Sequence, residues 1–224
     1  MRELSKEEKQ QIIAKNVAKI FDEDPFYRVV NLGVGIPTMA ANYVTREDVT
    51  IMAENGMLGV GPLADPEHVH PDLINASRQS VLETRGCCYS DSAEAFGMIR
   101  GGHIDATVLG AFEVDQDANV ANWIIPGGKQ LGVGGAMDLV SGAKKVIIAM
   151  THTSKTGPKL VAHCSLPLTA KGKVDTVVTE YAVFHFEQGR IVLVKKAPYI
   201  TLEEIRSITG VEYEVSADLG TMVE

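Results

Sequence analysis

The chain has no apolar run approaching the roughly 18–20 residues that a membrane-spanning helix needs, so no membrane partner is expected. Its first residues, Met1-Arg2-Glu3-Leu4-Ser5-Lys6-Glu7-Glu8, lack the apolar segment of a signal peptide. Cysteine is scarce: there are three, an odd number, and the vicinal Cys87-Cys88 has no second pair with which to build a zinc site. Free thiols and a cytoplasmic, reducing setting are therefore expected. Basic residues number 21 against 29 acidic ones, for a net charge of −8. Nucleic acid wants a basic surface, so it is not the expected partner. The patterns G-x-G-x-x-G, Walker A and G-x-S-x-G are all missing, which removes the simplest dinucleotide, P-loop and serine-hydrolase readings.

What remains is an ordinary globular composition, 45% hydrophobic and 22% charged, over 224 residues. That length suits one large domain, 1–224, with no linker, repeat or low-complexity tract. Ser5 and Glu8 form a capping-box pattern for an amphipathic helix over 5–22, with Ile13, Val17, Ile20 and Phe21 on one face. Strands are expected at 28–32, 49–53, 104–109, 121–125 and 145–150, and helices at 39–44, 92–100 (capped by Ser92) and from a second capping box at Thr201 and Glu204. Residues 174–186 and 190–196 read as a late hairpin around Gln188-Gly189. Residues 59–90, rich in Gly, Pro, Asp and His, read as one long irregular segment. Strands alternating with helices predict an α/β fold: an open, mostly parallel sheet with helices on both faces.

Three glycine-rich segments, 33–35, 56–61 and 132–135, each follow a strand or open a helix. Together they would line a cleft with backbone N–H donors suited to an oxyanion or a phosphate. Glu54 sits among them, at the end of the apolar run Val49-Thr50-Ile51-Met52-Ala53. In open α/β sheets ligands bind outside the carboxyl ends of strands, which is where this carboxylate falls. The plainer reading is a tight Asn55-Gly56 turn with an exposed Glu. Other groups carry less. Asp105 is read inside a strand, and Asp138 at a helix start, where the helix dipole favours it. His68 and His70 have no third ligand, and solvated loop residues are the better reading. Cys164 beside His163 reads as a buried structural thiol, because neighbours on a strand point to opposite faces. No metal site is expected.

Asn31-Leu32-Gly33-Val34-Gly35-Ile36-Pro37 and Glu54-Asn55-Gly56-Met57-Leu58-Gly59 resemble the glycine loop and catalytic motif of family I coenzyme A transferases. Ile99-Arg100-Gly101-Gly102-His103, Ala121-Asn122-Trp123 and Gly134-Gly135-Ala136-Met137-Asp138-Leu139-Val140 extend the likeness, which runs in order from about residue 8 to 205. The chain is most similar to the B (beta) subunits of two-subunit 3-oxoacid or butyrate–acetoacetate enzymes. Ala53 stands where relatives often carry Ser.

The resemblance implies that Glu54 is a nucleophile forming a glutamyl–CoA thioester, with ping-pong transfer of CoA to a short-chain acid of the acetoacetate, butyrate or acetate class. It further implies that Asn31, Gly33, Gly35, Asn55, Gly56, Gly134 and Gly135 bind substrate or CoA. Coenzyme A would be a substrate, with no permanently bound cofactor. An A (alpha) subunit would be the partner, in an A2B2 assembly. Trp123 reads as core, and Lys129, Lys144 and Lys145 as solvated surface rather than phosphate ligands. Alternatives are a 3-oxoadipate-type transferase, a phosphosugar isomerase or deaminase-like enzyme, and a non-catalytic CoA-binding subunit.

Overall fold

A computed structural model describes residues 2–128 and 132–224. The capping box forms: Ser5 Oγ accepts from Glu8 N–H and Glu8 Oε2 accepts from Ser5 N–H, opening α1 (Lys6–Glu23). Its apolar face, with Ile13, Val17 and Phe21 fully buried, packs on the sheet. Asp24 ends it. β1 (Val29–Leu32) follows, then α2 (Ile36–Met39) and a 3-10 turn (Ala40–Asn42). The helix expected over 39–44 therefore starts earlier and is shorter, because Pro37 is accepted only in a first helical turn. β2 (Thr50–Ala53) is followed by β3 (Met57–Leu63) and β4 (Val81–Tyr89).

That last pair corrects the reading of 59–90 as one irregular segment. β3 and β4 are antiparallel, with register shifts at Leu58/Val60 and Val60/Leu63. Gly59 and Gly61 lie within β3 where the strands come too close for side chains: a Cβ on Gly61 would stand 2.6 Å from the Leu82 carbonyl oxygen. Glycine here marks bulged strands, not a loop. Only the connection 64–80 is irregular.

Asp91, not Ser92, caps α3 (Ser92–Arg100), accepting from Glu94 N–H. β5 (Ala106–Leu109), β6 (Glu113–Asp115) and β7 (Val120–Ala121) follow; the strand expected over 121–125 is thus a two-residue piece of a small three-stranded sheet. α4 (Ala136–Gly142) leads to β8 (Lys145–Ala149), then the short β9 (Thr153–Ser154), β10 (Gly157–Pro158) and β11 (Leu160–Val161). The segment 174–186 is not one strand: β12 (Thr176–Val178) reverses at Thr179–Tyr181 into β13 (Ala182–Glu187), where the Thr179 hydroxyl ties the turn to Ala182. β14 (Arg190–Lys196) completes the predicted hairpin with β13. α5 (Leu202–Ile208) starts at the Thr201/Glu204 capping box, and β15 (Glu214–Thr221), which the sequence reading missed, closes the chain. The tail is held to α1, since Asn16 Nδ2 donates to Val223 C=O and Val223 N–H to Asn16 Oδ1.

The main sheet has the order β15-β14-β13-β12-β8-β5-β1-β2-β3-β4, with the central run β12-β8-β5-β1-β2 parallel. From β1 the chain steps one way to β2, whereas β5 and β8 step the other way. Right-handed crossovers then place the connecting helices on opposite faces. α1 packs with α2, and α3 with α4. The α/β class and layering match the expectation. The order reverses at β1, which marks the carboxyl ends of β1, β2 and β5 as the place for a ligand.

Gly61→Ala should destabilise the chain by roughly 1–3 kcal/mol, because backbone must move to admit the methyl. Gly97→Ala, in α3 with open space around it, should stabilise it by about 0.5–1 kcal/mol. Urea unfolding of both variants measures the pair; equal and small effects would refute the steric reading of β3.

Candidate active site

Between β2 and β3 the chain reverses through Glu54, Asn55 and Gly56. Ala53 pairs with Met57, and Gly56 N–H donates to Ala53 C=O at 3.0 Å. Gly56 has φ +115°, and a Cβ there would collide with the Ser90 carbonyl oxygen, so both conformation and space demand glycine. The tight-turn reading is therefore right about the backbone. The side chain is another matter, because Glu54 is half-buried and its Oε2 accepts from Asn31 Nδ2 at 3.0 Å.

Asn31 is fully buried in β1. Its amide also donates to Met52 C=O at 3.2 Å, and its Oδ1 accepts from the Thr107 hydroxyl at 3.1 Å. Strand register puts these residues side by side: Asn31 lies opposite Met52 on β2 and Thr107 on β5. The Thr107 contact orients the amide so that its NH2 faces the carboxylate. Glu54 Oε1 has no hydrogen-bond partner among the described residues.

Glu54 lines a cavity of about 490 Å³ at the carboxyl ends of β1, β2 and β5. Its wall comes from Gly33 and Val34 after β1, Leu109 at the end of β5 with 110–112 after it, 132–135 and the first turn of α4, and Asn122 and Lys159. Gly135 lies against the Glu54 side chain: a Cβ on it would stand 3.5 Å from Glu54 Cγ and 2.9 Å from the Phe96 ring. Of the residues the sequence singled out, Gly33, Gly134 and Gly135 therefore share the cavity with Glu54. Asn31 reaches Glu54 from beneath. The other three point elsewhere. Asn55 is exposed and its amide donates to Ile74 C=O at 3.0 Å, tying down the 64–80 connection. Gly56 is buried under Ser90. Gly35 precedes α2 and lines a neighbouring cavity of about 380 Å³ with Thr38, Ile51 and Val60.

The remaining candidates fall away from the cavity. Asp105 stands just before β5, not within it, and accepts from the N–H groups of Arg28 and Val29 and from Lys144 Nζ. Lys144 and Lys145, the latter paired with Asp175, sit at the amino ends of the parallel strands, on the edge opposite Glu54. Lys129 lies outside the described residues. His68 pairs with Asp65 in an exposed loop. His152 is buried with its ring nitrogens on Thr179 and Thr209, and burial lowers its pKa to about 4, so it is neutral. The Cys164 thiol is pushed up to about 12, by burial and then by the Asp115 carboxylate. Trp123, expected in the core, is half-buried and outside the core cluster. Among the described residues, no His, Cys, Asp and Glu group is placed to hold a metal.

The sequence profile described as "Coenzyme A transferase" matches residues 11–207. The chain belongs to the coenzyme A transferase family. The beta subunit of acetate CoA-transferase from Haemophilus influenzae is 47% identical over 216 residues, 95% of either chain. The B subunit of succinyl-CoA:3-ketoacid coenzyme A transferase from Helicobacter pylori is 43% identical over 207 residues, covering 92% of this chain and 99% of that one. An acyl-CoA transferase structure from Escherichia coli O157:H7 superposes with a TM-score of 0.75 at 22% identity, over 96% of this chain and 43% of that longer one. At that identity the likeness concerns the fold.

In this CoA transferase chain, the motifs at 99–103 and 134–140 support the site from behind. Arg100 Nε donates to Asp138 Oδ1 at 2.7 Å, joining α3 to α4. Phe96 of α3 stands against Gly135, so the helix pair fixes how near the 132–135 loop comes to Glu54. Asp138 is thus an ion-pair partner as well as a first-turn acid. Two site residues escaped the sequence reading. Thr107 carried one signal, a hydroxyl inside the buried run 106–109. Lys159 carried none.

Thr107→Val should cost about 1–3 kcal/mol in urea unfolding, because it leaves the buried Asn31 carbonyl without a donor. Thr107→Ser should recover most of that. No loss for the valine variant would mean the hydroxyl does not orient Asn31.

Proposed function

We propose that this chain transfers coenzyme A between an acyl-CoA and a short-chain carboxylic acid of the acetoacetate, butyrate or acetate class, through a thioester on Glu54. The observation that carries the proposal is one carboxylate with one oxygen bonded to Asn31 and the other free, facing a cavity walled by glycine backbone. The names of the 43–47% identical relatives, acetate and succinyl-CoA:3-ketoacid transferase subunits, support the substrate class.

The chemistry balances without a proton donor. Glu54 Oε1 attacks the acyl-CoA carbonyl carbon and the C–S bond breaks, giving a mixed anhydride and CoA thiolate. The thiolate attacks the glutamyl carbonyl carbon, and the first acid leaves as its carboxylate, carrying the bridging oxygen. A second carboxylate attacks the resulting glutamyl–CoA thioester and expels thiolate. That thiolate takes the new acyl group and restores Glu54. Throughout, Oε2 remains the glutamyl carbonyl oxygen. Asn31 Nδ2, 3.0 Å away, is then a prepositioned donor each time that carbonyl becomes tetrahedral. One such donor is worth roughly 3–4 kcal/mol of barrier. The Gly134–Gly135 backbone would serve the acyl carbonyl. Holding thiolate and anhydride together offsets about 7–11 kcal/mol more.

The names of the relatives, each one subunit of a larger enzyme, support a partnership with an alpha subunit, which we propose as A2B2 in the cytoplasm. We further propose that residues 1–224 form one domain, a reading supported by a ten-stranded sheet whose strands come from both ends of the chain, β1 to β5, β8 and β12 to β15, with β6, β7 and β9–β11 in two small sheets. No helix among the described residues is long and apolar enough to cross a membrane.

Incubating the reconstituted pair with acetoacetyl-CoA should add the mass of CoA to the Glu54 peptide. Glu54→Gln should abolish both this adduct and exchange while leaving the unfolding midpoint within about 0.5 kcal/mol, as befits a turn residue outside the core. An adduct on another residue, or exchange surviving in the variant, would refute the proposal.

A further inference from the structure

Lys159 is the only ionisable residue besides Glu54 among the described residues that line the catalytic cavity. It sits between β10 and β11, with its N–H donating to His152 C=O at 3.1 Å and its carbonyl accepting from Val114 N–H at 2.9 Å. The backbone is therefore fixed on both sides of the side chain. The residue is half-buried, and its ammonium has no hydrogen-bond or ion-pair partner among the described residues. The charged groups around it are Glu54, which shares the cavity, and Glu180. The latter is fully buried: its Oε2 accepts from His152 N–H at 2.8 Å, while its Oε1 lies 3.6 Å from Lys9 Nζ and has no hydrogen-bond partner among the described residues. His152 is neutral and tied to two threonines.

A half-buried cation that feels a carboxylate only through space, as Lys159 feels Glu180, and hydrogen-bonds to none is costly unless a ligand supplies one. The reaction supplies one twice, because each acid leaves or arrives as a free carboxylate while Glu54 is held as a neutral thioester. At those moments the substrate carboxylate carries the negative charge that Glu54 has given up, and it has left water to enter the cavity.

We propose that Lys159 is the cationic anchor for the carboxylate of the free acid substrate, acting on the half-reaction in which that acid meets the glutamyl–CoA thioester. The inference rests on the Glu54 reading and deepens it. It assigns to Lys159 recognition of the acid, with the acyl-CoA half left to Glu54 and the glycine loops. Burial lowers the Lys159 pKa to about 8, with Glu180 opposing the shift, so the anchor is charged below that pH and loses its charge above it.

The test uses the complex of this chain with its alpha subunit, charged with CoA from acetoacetyl-CoA, freed of excess thioester and mixed with increasing acetate. Intact-protein mass follows loss of CoA from Glu54. In Lys159→Met the acetate concentration for half-maximal discharge should rise roughly tenfold or more. Lys159→Arg should restore most of the acid affinity. In the unaltered protein the acetate requirement should climb as pH rises through about 8, and in Lys159→Arg this climb should disappear. The unaltered protein's pH profile keeps the proposal testable if Lys159→Met does not fold. Unchanged acetate dependence in the variant or a flat pH profile would overturn the assignment. Failure of the unaltered complex to take up CoA on Glu54 would instead sink the Glu54 reading, and this one with it.

Discussion

The hydrogen bond from Asn31 Nδ2 to Glu54 Oε2 is the contact on which the site depends. It exists because three neighbouring parallel strands are in register, with Thr107, Asn31 and Met52 forming one rung across β5, β1 and β2. A shift of one residue in β1 would turn the amide to the other face of the sheet and leave the carboxylate unoriented. The rung is buried, so its donors and acceptors have no water to fall back on, and each is held by the others. Sheet register, more than any loop, decides where the carboxylate points.

Glycine takes up the rest of the design, chiefly by permitting approach. At Gly56 it lets the turn after Glu54 pass under Ser90. At Gly135 it lets the loop before α4 come within van der Waals reach of the carboxylate side chain, while Phe96 stops it from coming closer. Gly142 does similar work at the far end of α4, where the Ile99 carbonyl occupies the space of a side chain. The Arg100–Asp138 pair then ties α3 to α4. Family motifs far from Glu54 in sequence thus act by setting the cavity's width. Lys159 reaches the same cavity from the short strands at β10–β11, a part of the chain that no motif marked.

The readings that failed share a cause. Gly59 and Gly61 read locally as loop residues, yet they sit in β3 because β4 presses against them, and that pressure comes from a strand about twenty residues away. The reversal at Thr179–Tyr181 escaped because both sides of it are apolar and β-branched, and only the threonine hydroxyl marks the turn. β15 is half-exposed and polar, so its pairing with β14 left little alternation to read. Long amphipathic α1 and both capping boxes were legible because their signals are local.

By itself, the sequence determined the α/β class, the capped helices and the position of Glu54 at a strand end among glycines, since these follow from periodicity and from neighbours a few residues apart. It also carried the family, through collinear motifs. Only the tertiary structure decided which glycines share a cavity with Glu54 and which merely shape turns. It alone revealed that Asn31 bonds the carboxylate, that Thr107 orients Asn31, and that Lys159 stands in the same cavity. Those relations span 23, 76 and 105 residues of chain, and strand register and close packing, which no local pattern encodes, bring them within reach.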